Sequence, residues 1–440
     1  MKLHLTITKE RIRMRKKPIF GSLVVCALLA GFVSNVCWTG DNTGYAASKK
    51  VILQYYTWTD EKDYMEKVVD VFNRKNPDLK VQLNMISNNN DEYFKKILVM
   101  LSGGANLDLY SVNGTSKLDL YVSKNALVDL TKMLKDSKLN LAPYGPSFLD
   151  TASMENGKYY ALPYRSSAYA LFYNKEIFDK EKMSYPKQMT WDEYAKLAAS
   201  LTKGEGPHRQ WGGYYADWMR VPLIALQKGS NLLDDNLEAT SEWLQFLNRI
   251  YNTDKSHVSY KSMKAEQLDW IKMFESGKIA MLPNGEWTIN MLKADIAAGK
   301  CKINFDMAPI PLPTGVKSPI TAGGVSAYIG INSNSKNIKA AFRFAKFLCG
   351  PEGESIIANS SVLPAYISNQ TRNSFLKATG IKGSEYFFHA KTVSENQPVR
   401  QIDAVNRTYD EEKDLYLLEQ QNIQTTIKNF AEKRQEILAN

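Results

Sequence analysis

Cysteine is scarce: there are four in 440 residues, and Cys26 and Cys37 both fall in the first 47. The other two, Cys301 and Cys349, are far apart and belong to no CxxC pair, which excludes a disulfide framework and a thiolate metal site. They read as buried free thiols. Histidine is equally sparse, and His4, His208, His257 and His389 show no metal-ligand spacing. No G-x-S-x-G, P-loop or H-E-x-x-H pattern occurs, so the chain offers no motif for catalysis. After residue 47 no stretch is apolar and long enough to span a bilayer. One-signed charge is also scarcer than the totals suggest. Lys and Arg outnumber Asp and Glu by 56 to 46, but without residues 1–47 the excess falls from +10 to +5. Nothing in that balance points to nucleic acid, and none is expected as a partner.

What is present begins with Lys2, Lys9, Arg11, Arg13, Arg15, Lys16 and Lys17, followed by the uncharged, apolar Ile19–Trp38. A basic stretch, an apolar stretch and then small residues (Gly44-Tyr45-Ala46-Ala47) have the form of a secretory signal peptide covering 1–47, with a single membrane anchor as the alternative, which Gly21, Gly31, Ser34 and Asn35 weaken. The rest, 44% apolar and 23% charged over the whole chain, is of globular composition and too long for one hydrophobic core.

Val51–Tyr56 reads as a buried strand, and Met65, Val68, Val69 and Phe72 follow at helical spacing. Val81, Leu83 and Met85 alternate as a strand, Phe94, Ile97, Leu98 and Leu101 repeat as a helix, and Leu107–Val112 is a third strand. Strands alternating with helices predict a parallel sheet covered by helices. Thr190-Trp191-Asp192-Glu193 is a capping box opening a helix-rich middle up to Lys300. Ile303–Ile310 and Gly323–Ile331 read as strands, Ile338–Leu348 as a helical stripe, and Glu411–Leu438 as an amphipathic tail.

Asn156-Gly157-Lys158-Tyr159-Tyr160-Ala161-Leu162-Pro163, continuing to Leu171-Phe172-Tyr173-Asn174-Lys175, resembles a signature of the maltose-binding-like, family 1 extracellular solute-binding proteins of ATP-driven importers. Pro186 with Thr190–Glu193, Phe274–Met281 with Gly285-Glu286-Trp287, and Gly323-Gly324 with Ser335-Lys336-Asn337 are similar to further family elements, in the family's order. Ser361-Val362-Leu363-Pro364 resembles another, with Ser360 and Ser361 where the family has glycine. Phe32, not Cys, follows Leu29-Ala30-Gly31, which argues against a lipid anchor. The resemblance implies an α/β fold: a two-lobed, type II periplasmic-binding-protein clamshell whose chain crosses a hinge near Ser166–Ala170, Met307–Pro311 and Ser361–Pro364. Lobe one then comprises 48–166 plus 310–360, and lobe two 168–308 plus 362–440. A monomeric, extracytoplasmic receptor is implied, without cofactor, delivering a carbohydrate to ABC transporter permease subunits.

A sugar presents C–H faces to aromatic rings and hydroxyls to polar groups. Trp58 lies past the end of the first strand, where open α/β sheets place ligands, with Asp60 and Glu61 beside it; a core-capping Trp with solvated carboxylates is the alternative. Asn113 ends the third strand and serves either the ligand or a plain turn before Gly114. Tyr164, Arg165 and Ser167 stand on the stretch that lines the family's cleft, with an Arg–carboxylate pair in the cleft wall as the alternative. Glu286 and Trp287 carry the family match, and Trp287 is the leading stacking candidate. Trp211 and Trp218 are loop aromatics expected at the cleft. Gly323 and Gly324 permit close approach of a ligand or mark a bulge, and Tyr366 follows the Leu363-Pro364 turn. A secreted hydrolase using Asp60 and Glu286 as its carboxylate pair is a rival reading, and a sugar-sensing partner of a signalling receptor is another.

Overall fold

A computed structural model describes residues 50–151 and 157–439. The segment read as an export signal, with Cys26 and Cys37, and Asn156 of the family signature lie outside the described residues. β1 (Val51–Thr57), β2 (Leu79–Met85) and β3 (Leu109–Asn113) are parallel, with Val51 opposite Leu79 and Tyr55 opposite Leu109. The connections run through α1 (Lys62–Lys75) and α2 (Asn90–Ser102), and β3 leads into α3 (Gly114–Ser123). The helix α1 turns Met65, Val68, Val69 and Phe72 onto the sheet, as their spacing predicts.

β4 (Ala161–Asn174), α4 (Trp191–Leu201), β5 (Trp211–Gly213), β6 (Ile279–Gly285), α5 (Trp287–Ala297) and β7 (Phe305–Pro309) follow. β8 (Ile320–Ile331), α6 (Ile338–Leu348), β9 (Lys391–Ser394), α7 (Ile402–Leu417) and α8 (Ile423–Ala439) complete the elements that matter here. The strand order is β2-β1-β3-β8-β4-β6-β5, with β7 on β4 and β9 on β8. The three opening strands are parallel as expected, and β8 then joins β3 antiparallel as the chain returns from the second lobe.

Two long strands link two hydrophobic cores. Through Ala161–Ala168, β4 pairs with β8, and from Tyr169 to Asn174 it lies between β6 and β7. Leu53, Met65, Leu109, Tyr164, Val325 and Phe344 belong to one core; Tyr169, Trp191, Ile279, Ile310 and Ala322 belong to the other. β4 changes cores between Tyr164 and Ala168, and β8 between Ala322 and Val325. The return expected near Met307–Pro311 therefore falls later. Leu312 docks on the capped start of α4, accepting from the Trp191 amide at 3.0 Å and donating to Met189 at 3.0 Å, so the segment after β7 stays with the second core. The tail divides into α7 and α8, and a small third core of Leu232, Leu237, Leu244, Val405, Tyr409 and Phe430 seats both. Cys349 is buried in the first core and Cys301 half-buried against the second, both as free thiols.

Candidate functional site

The carboxyl ends of β1 and β3 carry the first-lobe part of the site. Trp58 is 3% exposed, its ring 4.7 Å from Tyr93, with the Arg165 guanidinium 5.9 Å over it. Its indole N–H has no partner, so the ring is core-like while one polar atom stays unsatisfied. Arg165 forms an ion pair with the fully buried Glu61 at 2.9 Å and reaches Ser326 Oγ at 3.3 Å and Tyr64 Oη at 3.4 Å. Burial holds the Glu61 pKa above the usual carboxylate range even with Arg165 beside it. A hydroxyl network backs this pair: Tyr164 donates to Glu61 at 2.8 Å and lies 3.0 Å from Ser111 Oγ, and Tyr55 meets Ser111 at 2.8 Å.

Several expected contacts change role here. Tyr164 is fully buried and supports Glu61 from within the core rather than facing a cleft. Asp60 is open to solvent, yet the protein around it raises its carboxyl pKa against the opposing pull of Arg165. Glu61, one residue on, is the carboxylate that Arg165 holds. Asn113 is half-buried at the end of β3 and makes no cap hydrogen bond to α3. Sequence reasoning had no signal for Tyr64, Tyr93 or Ser111, whose places depend on the pairing of β1 with β3 and on the docking of the helices that follow β1 and β2.

The end of β6 carries the second-lobe part. A Cβ on Gly285 would lie 2.1 Å from the Trp287 ring, so glycine makes room for the indole to fold back over the strand end. Trp287 meets Tyr169 edge-on at 5.8 Å and lies 6.1 Å from Trp218, which is 6.4 Å from Trp270. Trp218 is 41% exposed, and Trp270 and Trp287 are half-buried, so these indoles form a partly open aromatic shelf. The loop bearing Trp218 is held by Arg220–Asp410 at 2.8 Å and by Lys413 on the Asp217 carbonyl at 3.2 Å. Trp211 does not join this shelf; it starts β5 with the Arg209 guanidinium 4.1 Å over its ring.

Glu286, between Gly285 and Trp287, has no exposed surface. Its amide donates to Ala168 O at 3.0 Å, Oε2 accepts from the Ala168 amide at 3.3 Å, and Oε1 has no partner. Burial pushes its pKa up to about 8, with Arg165 pulling the other way. As a direct ligand contact Glu286 is thus corrected to a supporting residue. Nor can it pair with solvent-exposed Asp60 as two open carboxylates, since it is enclosed and spent on the β4 backbone.

Ser167 and Gly324 line a different feature, a cavity of about 740 Å³ beside the β4–β8 pair, with Tyr144, Ser147, Leu226 and Phe387 in its wall. Gly323 serves the strands instead: a Cβ there would lie 2.1 Å from Ser167 O. Gly324 takes φ +111°, and a Cβ would meet Ser147 Oγ at 2.4 Å. Close packing of the hinge strands accounts for both glycines, in line with the bulge alternative, while Gly324 also borders the cavity. Tyr366 packs edge-on against Tyr144 at 5.5 Å at the margin of the first core. No group of three His, Cys, Asp or Glu residues suited to a metal occurs among the described residues, and no helix there is long and apolar enough to cross a membrane. Buried His257, its pKa lowered to about 3 by burial, is held between Tyr194 and Ser256.

Comparison with known proteins matches residues 57–355 to the bacterial extracellular solute-binding protein family. The melibiose/raffinose/stachyose-binding protein of Bacillus subtilis is 22% identical over 338 residues, 73% of this chain and 75% of that protein. A sugar transporter of Rhizobium etli, solved in an open conformation, is 26% identical with a TM-score of 0.72, covering 87% of this chain and 98% of that one. An ABC substrate-binding protein of Listeria monocytogenes, solved with cycloalternan, superposes with a TM-score of 0.76 at 22% identity, over 89% and 100% of the two chains. These are solute-binding proteins of the two-lobed α/β fold, not enzymes. With the match running from the end of β1 past α6, through both cores and the strands between them, the chain belongs to the bacterial extracellular solute-binding protein family.

Proposed function

We propose that this protein binds an oligosaccharide between its lobes outside the cytoplasm and passes it to the permease of an ABC importer. The observation that carries the reading is the shelf of Trp218, Trp270 and Trp287, with ring centroids 6.1 and 6.4 Å apart. Their planes are tilted by 45° and 61° to one another, so together they offer an angled apolar wall, larger than one ring, to the C–H faces of a sugar. On the first lobe, Arg165 and Asp60 offer a donor and an acceptor for hydroxyls. The names of the relatives support the class: one binds melibiose, raffinose and stachyose, and another was solved with cycloalternan. Export follows from the basic and then apolar segment within residues 1–47, and the protein acts as a monomer.

The test is a thermal-shift screen against raffinose, stachyose, maltotriose, mannotriose and cycloalternan. A sugar at one hundred times its Kd adds about 2.7 kcal/mol to stability. The sugar that raises the melting point of the native protein should fail to do so with Trp287→Ala, and should do so only weakly with Trp218→Ala. A panel without any shift, or a shift that both variants retain, would overturn the reading.

A further inference from the structure

The start of α7 meets α3 through buried charge. Lys117 Nζ lies 2.8 Å from Asp403 Oδ1, a contact spanning 286 residues of sequence. A guanidinium nitrogen of Arg400 lies 3.0 Å from Asp119 Oδ1, and the Gln401 amide donates to Asp119 Oδ2 at 3.1 Å. Both carboxylates are withdrawn from water, Asp119 being 4% exposed and Asp403 1%. The α3 helix belongs to the first core through Leu118, Tyr121 and Val122, whereas α7 belongs to the second lobe through Leu417 and to the small third core through Val405 and Tyr409. These ion pairs therefore join the two lobes. Gln401 sits at φ 66°, which a residue with a side chain keeps only where its surroundings hold it, and its bond to Asp119 does so. Farther along the same helix, Asp410 and Lys413 grip the loop that carries Trp218.

We propose that Lys117, Asp119, Arg400 and Asp403 form an interlobe latch that sets how much of the protein is closed before any ligand binds. Asp403 also pairs with Arg407 on its own helix at 2.7 Å, and Asp119 keeps the Gln401 amide, so losing Lys117 and Arg400 removes the charge pairing between the lobes without emptying either carboxylate's surroundings. A buried carboxylate that loses a cation is costly where the lobes meet, whereas opening returns it to water. Removing the cations thus favours the open form. The latch residues are positioning residues: apparent affinity falls by the closed fraction lost, without a change in direct ligand contacts. The proposal extends the binding reading but rests on the two-lobed fold alone.

Small-angle scattering of the unliganded protein tests it. Lys117→Met/Arg400→Met should increase the radius of gyration while native circular dichroism is kept. Lys117→Arg/Arg400→Lys, which retains both charges, should match the parent. A Met pair with the parent's radius would overturn the latch, as would an equal increase in the charge-retaining pair. If the Met pair loses its native circular dichroism, Asp119→Asn, which keeps an acceptor for the Gln401 amide, is judged by the same criterion. No measurement uses a sugar, so a failed latch and a failed sugar screen are separate results.

Discussion

Glu286 shows how one residue's role is decided by its surroundings rather than by its type. Its folded-state pKa of about 8 lies above the ordinary 4.5, so the native chain keeps a proton there that the unfolded chain releases. The resulting stability is complete below pH 4.5 and is lost as pH rises to about 8, at no more than about 1.4 kcal/mol per pH unit. Glu286→Gln, neutral throughout, should match the parent in urea midpoint near pH 4.5 and exceed it at pH 8. An unchanged pH slope would mean that the native carboxyl is already ionised. Glu395, raised to about 7 by burial, supplies a similar slope in both proteins and does not obscure the difference. In the sequence, Glu286 and Asp60 were equivalent acids near strand ends. Burial separates them, and no local pattern encodes burial.

At the level of elements, α4 is the part most legible beforehand. Its capping box is a contact among neighbours: the Thr190 amide donates to Glu193 Oε2 at 2.7 Å, and Thr190 Oγ accepts from the Glu193 amide at 3.2 Å. Removing the hydroxyl with Thr190→Ala should cost about 1 kcal/mol in chemical denaturation. The thermal shift given by a bound sugar should stay the same, because the helix start lies on the second core and not on the indole shelf. A lost shift in this variant would show that the cap reaches the site. The connection after β7 was misplaced for the opposite reason. The crossing was expected near Met307–Pro311, yet backbone bonds from Leu312 to Met189 and Trp191 keep that segment on the second lobe. Those partners are more than a hundred residues away, where no local signal reaches.

For the whole molecule, the long strands β4 and β8 are the main covalent routes between two cores, so relative motion of the lobes costs little packing inside either. A sugar that touches both lobes favours the closed arrangement by its differential affinity. Saturation with whichever sugar gives the largest thermal shift should reduce the radius of gyration in solution scattering. Binding with an unchanged radius would show that closure does not accompany it.

The sequence by itself determined the strands and helices of the first lobe, the capped α4, the supply of aromatic side chains and the ordered family elements. All of these arise from periodicity, capping and short motifs, which are interactions between near neighbours along the chain. Only the tertiary structure decided that Tyr164 and Glu286 turn inward, that Trp270 joins Trp218 and Trp287, and that Lys117 meets Asp403. Each of those outcomes depends on where distant elements pack. The free energy of burying or pairing a side chain is set by neighbours that the linear order does not name.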